Sequence, residues 1–240
     1  MNRTKALFKI GGKILGDFEN LKSTMSQLNS LFEENLIQKI IIIPGGGIFA
    51  NFIRKVYTEL KFTEEIAHFM GIISMNYNGL ELSKLYPNLQ VIVNFSKLKE
   101  MGDSISLFLP YDYLKENDIL PHSWEVTSDS ITLFLAKQLG LNECFLIKDV
   151  DGILDNNYKV IKQISASEFK EMKDLGKLYK ENSNNEELKK SSTPIDPYVL
   201  TLVENYKISC IILNGSKNAI RISNYFKSSN NEEKVYTEIK

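Results

Sequence analysis

Lys9, Asp129 and two glycine clusters are the residues whose types and spacing can do chemistry in this chain. Lys9 sits near the end of an apolar run, Ala6–Ile10 (ALFKI), and Gly11-Gly12 follow at once. Gly45, Gly46 and Gly47 follow a second run, Ile40–Ile43, across Pro44. A strand, a glycine turn and a helix start together make an anion site. Glycines let backbone N–H groups approach a ligand, and the helix dipole favours negative charge there. A tight turn between a buried strand and a helix is the blander reading, but three consecutive glycines exceed what a turn needs. A lysine within an apolar strand is costly unless its ammonium reaches solvent or a partner. Phosphoryl transfer needs positive charge and backbone donors aimed at the equatorial oxygens, and little else. Lys9 with the N–H groups of Gly11, Gly12, Gly45, Gly46 and Gly47 supplies both; the alternative is a Lys9 that merely snorkels to the surface.

Other candidates carry two readings each. Asp129, in Thr127-Ser-Asp-Ser130, is either an ordinary helix-start residue or a carboxylate that holds the Lys9 ammonium or helps position magnesium. Asp149-Val-Asp151-Gly152 lacks the glycine and acidic spacing of an EF-hand, so a turn contacting nucleotide is preferred over a calcium loop. His68, with Met75 and Asn76 seven and eight positions on, either faces a substrate or is simply packed. His122 and Trp124 beside Pro121 are equally open. Gly45-x-Gly47-x-x-Ala50 satisfies a dinucleotide fingerprint, which makes a Rossmann-type dehydrogenase the alternative. That fold needs an acidic residue ending the next strand, whereas Glu64 and Glu65 open a helix after Thr63. No Walker motif and no protein-kinase motif pair is present.

The elements that must position these residues follow from periodicity. Strands are expected at Ala6–Ile10, Lys39–Ile43, Leu89–Asn94, Ile105–Leu109, Glu143–Lys148 and Ile208–Leu213. Helices are expected over Asp17–Glu33, Ile48–Tyr57, from Thr63 to before Pro87, from Thr127 to Gly140, and from Pro194 to about Tyr206. Continuous apolar strands alternating with helices predict an α/β fold, a mostly parallel sheet covered on both faces, with ligands at the carboxyl ends of the strands. Lys177–Thr193 is polar and lysine-rich, a mobile loop that is either a lid or simply disordered.

Composition sets the outer bounds. The chain has 240 residues, 43% hydrophobic and 25% charged, with 29 Lys+Arg against 30 Asp+Glu. A net charge of -1 gives no reason to expect nucleic acid or an anionic membrane as a partner. No signal peptide or membrane-length apolar run is visible, so a cytoplasmic protein is expected. Cys144 and Cys210 both lie in apolar runs and read as buried thiols.

Taken together, Lys9-Ile-Gly-Gly, Ile43-Pro-Gly-Gly-Gly-Ile-Phe-Ala50, Thr127-Ser-Asp-Ser130 and Lys148-Asp-Val-Asp-Gly-Ile153 resemble the amino acid kinase superfamily, in that family's order and over most of the chain. The resemblance implies a three-layer αβα sandwich over residues 1–240, with about 1–125 holding a phosphoryl acceptor and about 126–240 holding ATP with Mg2+. It implies that Lys9 bridges donor and transferring phosphates, that Asp129 orients it, and that the five glycines bind acceptor and moving phosphoryl. Lys148, Asp149, Asp151 and Gly152 would border the nucleotide, and no metal ligand is assigned beyond the ATP phosphates. A homo-oligomer is expected by the same resemblance. The segments AHFMGIISMNYNG, LPHSWEVTSDS and IDPY followed by ILNG resemble an archaeal-type branch whose best-known acceptor is aminomethylfuran phosphate, in methanofuran biosynthesis. UMP, isopentenyl phosphate, carboxylates and carbamate remain alternative acceptors, and a binding protein without turnover is a reading of another class. Three departures stand out. Lys13 replaces a small hydroxyl residue, the terminus VYTEIK lacks the usual ending, and a second phosphate lysine before Pro194 has no clear counterpart. Lys13, Lys189 and Lys190 are candidates for that role.

Overall fold

The computed structural model describes residues 3–179 and 194–240. Eight strands form one sheet: β1 (Arg3–Ile10), β2 (Ile37–Pro44), β3 (Gln90–Ile92), β4 (Ser104–Phe108), β5 (Glu143–Lys148), β6 (Gln163–Ile164), β7 (Ser209–Asn214) and β8 (Thr237–Ile239). Their order is β3-β4-β2-β1-β5-β7-β8-β6, and every pairing is parallel except β7 with β8. β1, β2, β5 and β7 are the apolar runs of the sequence. Such runs suit strands buried on both faces. Along β1, Leu7 joins the core on one face while Ala6, Phe8 and Ile10 join the core on the other. β2 splits the same way, Ile41 and Ile43 against Ile40 and Ile42.

Ten helices cover the sheet among the described residues: α1 (Gly12–Leu15), α2 (Phe18–Glu33), α3 (Gly47–Leu60), α4 (Glu64–Leu85), α5 (Phe95–Glu100), α6 (Tyr111–Glu116), α7 (Ser128–Gln138), α8 (Ala166–Asp174), α9 (Tyr198–Tyr206) and α10 (Arg221–Lys227). Residues of α2 and α10 enter one core and those of α7, α8 and α9 the other, so helices lie on both faces. None of the described helices is long and apolar enough to cross a membrane.

The expected strands and helices are present, with ends displaced by a few residues. Five helices and two strands were not anticipated. α1 is a single turn opened by the first glycine pair. α5 and α6 are short, α6 starting directly after Pro110. α8 has its own capping box, Ser165 with Glu168. β6 and β8, of two and three residues, lie in polar sequence and are held by pairing rather than by propensity. α3 runs into α4 with no strand between, so Glu64 and Glu65 sit in the first turn of a helix. The strand-end carboxylate of a dinucleotide fold is therefore missing, and the dehydrogenase reading falls. Of the segment Lys177–Thr193, Leu178 is buried and bridges to Asp155, and Tyr179 N–H donates to the Leu154 carbonyl; residues 180–193, with Lys189 and Lys190, lie outside the described residues.

Candidate active site

β1 lies between β2 and β5 in the sheet, the chain running from β1 to β2 on one side and returning later to β5 on the other, and the carboxyl ends of these strands border a cleft of about 730 Å³. This is where open α/β sheets bind ligands. At its base Lys9 Nζ lies 2.8 Å from Asp129 Oδ1, and Lys148 Nζ lies 2.6 Å from Oδ2 and 2.8 Å from Oδ1. The parallel register explains the meeting. Lys9 pairs with Leu146 and Ile10 with Ile147, so Lys9 and Lys148 share one face of the sheet. α7 packs over that face and brings Asp129 to them from its first turn.

Lys9 and Asp129 are buried and Lys148 largely so; within this triad two ammoniums face one carboxylate, and Asp196 adds a further negative charge that acts on Lys148. Burial lowers the Lys9 pKa to about 8, against the pull of Asp129. Burial acts on Lys148 too, but Asp129, with Asp196 adding, leaves its pKa raised. Burial disfavours ionised Asp129, yet Lys148 and then Lys9 outweigh it and bring its pKa to about 2. At neutral pH the triad itself therefore carries two cations and one anion, a balance that suits an incoming anion at the ammoniums.

The two glycine loops touch above this base. A Cβ on Gly12 would lie 2.5 Å from Gly47 Cα, and Gly47 has a left-handed φ of 56°. Only glycine meets both demands without strain. The N–H groups of Gly12, Gly46 and Gly47 carry no hydrogen bond among the described residues, as expected for the first turns of α1 and α3. Gly11 and Gly45 differ from expectation. Gly11 N–H donates to the Ile147 carbonyl at 2.8 Å, and Gly45 N–H to the Ile10 carbonyl at 2.9 Å. These two groups extend the β1 ladder and are not available to a phosphate. They fix the loops instead.

Supporting residues were partly missed from sequence. Asn78 Nδ2 donates to the Gly45 carbonyl at 2.7 Å, tying the second loop to α4. Asp196 accepts from Thr127 N–H (3.0 Å), Thr127 Oγ1 (2.7 Å), Ser130 N–H (3.0 Å), Val199 N–H (3.1 Å) and Ser130 Oγ. One carboxylate thus caps both α7 and α9 and fixes the turn that carries Asp129. An Asp-Pro pair at an expected helix start signals the cap of α9, but its reach to α7 is tertiary.

Of the residues expected at the nucleotide, Lys148 belongs to the charged base, Asp149 lines the cleft paired with Lys13 at 2.9 Å, and Gly152 lines it against Thr237. Asp151 turns away: it receives Arg221 Nε at 3.0 Å and Asn214 Nδ2 at 3.1 Å, bracing the turns after β5 and β7. Lys13 is exposed and engaged with Asp149, not with the Asp129 cluster. His68 does line the cleft, but burial and then the neighbouring His122 bring its pKa to about 4, so it is neutral. His122, 5.0 Å away between ring centres, pairs with Asp118 at 2.7 Å.

Two ammoniums on one carboxylate beside three free N–H groups fit the phosphates of a nucleotide. Among the described residues no three His, Cys, Asp or Glu side chains converge as a metal site. Mg2+ commonly arrives on phosphates with one or two carboxylates, and Asp149 is the carboxylate that lines the cleft.

Comparison with known proteins agrees with this geometry. The sequence model of the amino acid kinase family matches residues 4–214. The chain is 28% identical to (5-(aminomethyl)furan-3-yl)methyl phosphate kinase of Methanocaldococcus jannaschii over 97% of this chain and 96% of that one. It is 26% identical to uridylate kinase of Pyrococcus abyssi, over 91% and 93% of the two chains. The crystal structure of uridylate kinase from Archaeoglobus fulgidus superposes with a TM-score of 0.66 over 99% of this chain and 100% of that one, at 18% identity, which speaks for the fold. The chain belongs to the amino acid kinase family and is a small-molecule kinase.

Proposed function

We propose that the protein transfers the terminal phosphoryl group of Mg-ATP to a small phosphate monoester. The observation that carries this reading is the Lys9–Asp129–Lys148 cluster, two ammoniums on one carboxylate, set beneath glycine N–H groups that have no partner among the described residues. Bound Mg-ATP supplies the phosphoryl group and the metal that screens the donor phosphates. Lys9 and Lys148 neutralise charge on the transferring group, and Asp129 keeps both ammoniums in register at no cost in reorganisation. Gly12, Gly46 and Gly47 N–H groups hold phosphate oxygens of donor and acceptor. No covalent enzyme intermediate is needed; alignment and screening suffice. Asp149 and Gly152 border the nucleotide in this reading, and the α3–α4 side of the cleft takes the acceptor.

Two acceptors are in view. Similarity along nearly the whole chain favours aminomethylfuran phosphate. The charge of the acceptor side, where Arg54 lines the cleft, favours UMP. ADP release from Mg-ATP is the test, against these two monoesters with aspartate and acetylglutamate as unphosphorylated acceptors. Turnover on a monoester and none on the carboxylates is the expected result. Turnover on the carboxylates alone would overturn the acceptor class. We also propose a homo-oligomer, for which α3 and α4 offer an exposed apolar face.

A further inference from the structure

We propose that Arg54, stacked on Trp124, is a second recognition point in the cleft, receiving a carbonyl or anionic group at the far end of the acceptor. This deepens the kinase reading and rests on it for the position of the acceptor phosphate. Arg54 stands seven residues beyond Gly47 on α3, two turns along the same face, which places it about 10 Å from the glycine loop. Both residues line the cleft. The guanidinium carbon lies 4.8 Å from the centre of the Trp124 ring, and Tyr57 flanks that ring at 5.9 Å. A guanidinium stacked in this way keeps its N–H edge free for in-plane, bidentate bonds to paired oxygens.

Among the described residues nothing takes those N–H groups: Arg54 has neither an ion pair nor a hydrogen-bonded acceptor for its side chain. Arg54 is exposed at the cleft, so water holds those N–H groups until a ligand arrives, although the covering on its Trp124 side slightly disfavours its charge. A cation lining the cleft, with one side covered by Trp124, can trade that water for charge-assisted bonds to an incoming oxygen acceptor. Ala50, Ile72 and Met75 line the same cleft, with Gly71 presenting open space beside its backbone. Small and apolar side chains of this kind can pack against the face of a ring. His68 is neutral and adds no charge, and among the described residues Asp149, on the nucleotide side, is the carboxylate lining the cleft. The acceptor class that fits is a phosphate monoester with a flat ring and carbonyl or carboxylate oxygens roughly two helical turns from its phosphorus. An ammonium at that end would face Arg54 with like charge.

The test is calorimetric titration of the full-length protein and of Arg54→Met and Arg54→Lys with UMP and with aminomethylfuran phosphate. ADP release is followed in parallel, and ATP-induced thermal shift reports that each variant is folded. We expect UMP to bind at least tenfold more tightly than the ammonium-ended ligand. Arg54→Met should weaken UMP by ten- to a hundredfold and erase the preference, with Arg54→Lys recovering part of it. Equal or tighter binding of aminomethylfuran phosphate, no measurable binding of UMP, or an unchanged ratio in Arg54→Met would overturn the proposal. Loss of the preference in Arg54→Met without ADP release from any acceptor would uphold the recognition point while removing the kinase reading of the acceptor.

Discussion

At the scale of single residues, the account turns on two lysines sharing one aspartate. Lys9 with a pKa near 8 is charged at neutral pH and loses its proton in mildly alkaline solution. The ratio kcat/KM, which reports the free enzyme, is expected to fall as pH rises through about 8, and Lys9→Arg should shift that limb upward. A flat profile to pH 9.5 would remove Lys9 from the charge balance. Stability should move the opposite way. The unfolded chain keeps this proton to the ordinary value of 10.5 while the folded chain releases it near 8, so unfolded molecules bind more protons in that window and stability rises across it. Asp129→Asn leaves two buried ammoniums without a counter-charge, and a loss of about 3–5 kcal/mol is expected from chemical denaturation. Much of this was legible: a lysine in an apolar strand and an aspartate at a helix start were visible in sequence. The arrival of Lys148 was not. It follows from β1 lying beside β5 in one register, and no local pattern states which strands are neighbours.

At the scale of elements, strand, glycine turn and helix recur twice, and the two turns are in contact. Gly12→Ala would drive a methyl group into Gly47, and Gly47→Ala would force a left-handed φ on a residue that resists it. Each should raise the KM for both substrates while costing about 1–3 kcal/mol in stability; unchanged kinetics would mean the loops do not hold phosphates. Asn78→Leu, which keeps the side chain's size but not its bond to the Gly45 carbonyl, should raise KM with little change in melting temperature. The glycines announced themselves in sequence, yet their division of labour did not. Gly11 and Gly45 spend their N–H groups on neighbouring carbonyls, and only the assembled ladder reveals that. The long buried strands were readable because both faces are apolar. β6 and β8 escaped because two or three residues with a single isoleucine each carry too little pattern to read, and such a strand depends on its partner; Thr237, which receives the Ile153 N–H and donates to the Ile161 carbonyl, shows how.

At the scale of the molecule, the sheet places its switch point between β1 and β5 and so puts every charged group of the site on one edge. The same layout leaves α3 without a single buried residue: one face lines the cleft and another shows Phe49 and Phe52, beside Ile73, Tyr77 and Leu80 of α4. Phe49 and Tyr77 touch, with ring centres 4.8 Å apart, so the patch is continuous. Contiguous exposed apolar side chains of this kind mark interaction surfaces, which is why this face is the expected seat of the oligomer contact. Sedimentation should show a dimer or larger assembly that Phe52→Glu dissociates; a monomer at micromolar concentration would count against it. The central claim is that this edge transfers phosphate by means of Lys9, Lys148 and Asp129. Its most direct test is acceptor-dependent ADP release from Mg-ATP by the native protein beside Lys9→Met and Lys148→Met. Turnover should fall by about 10²–10³ in kcat in either variant, with folding preserved. Undiminished turnover in both variants would contradict it.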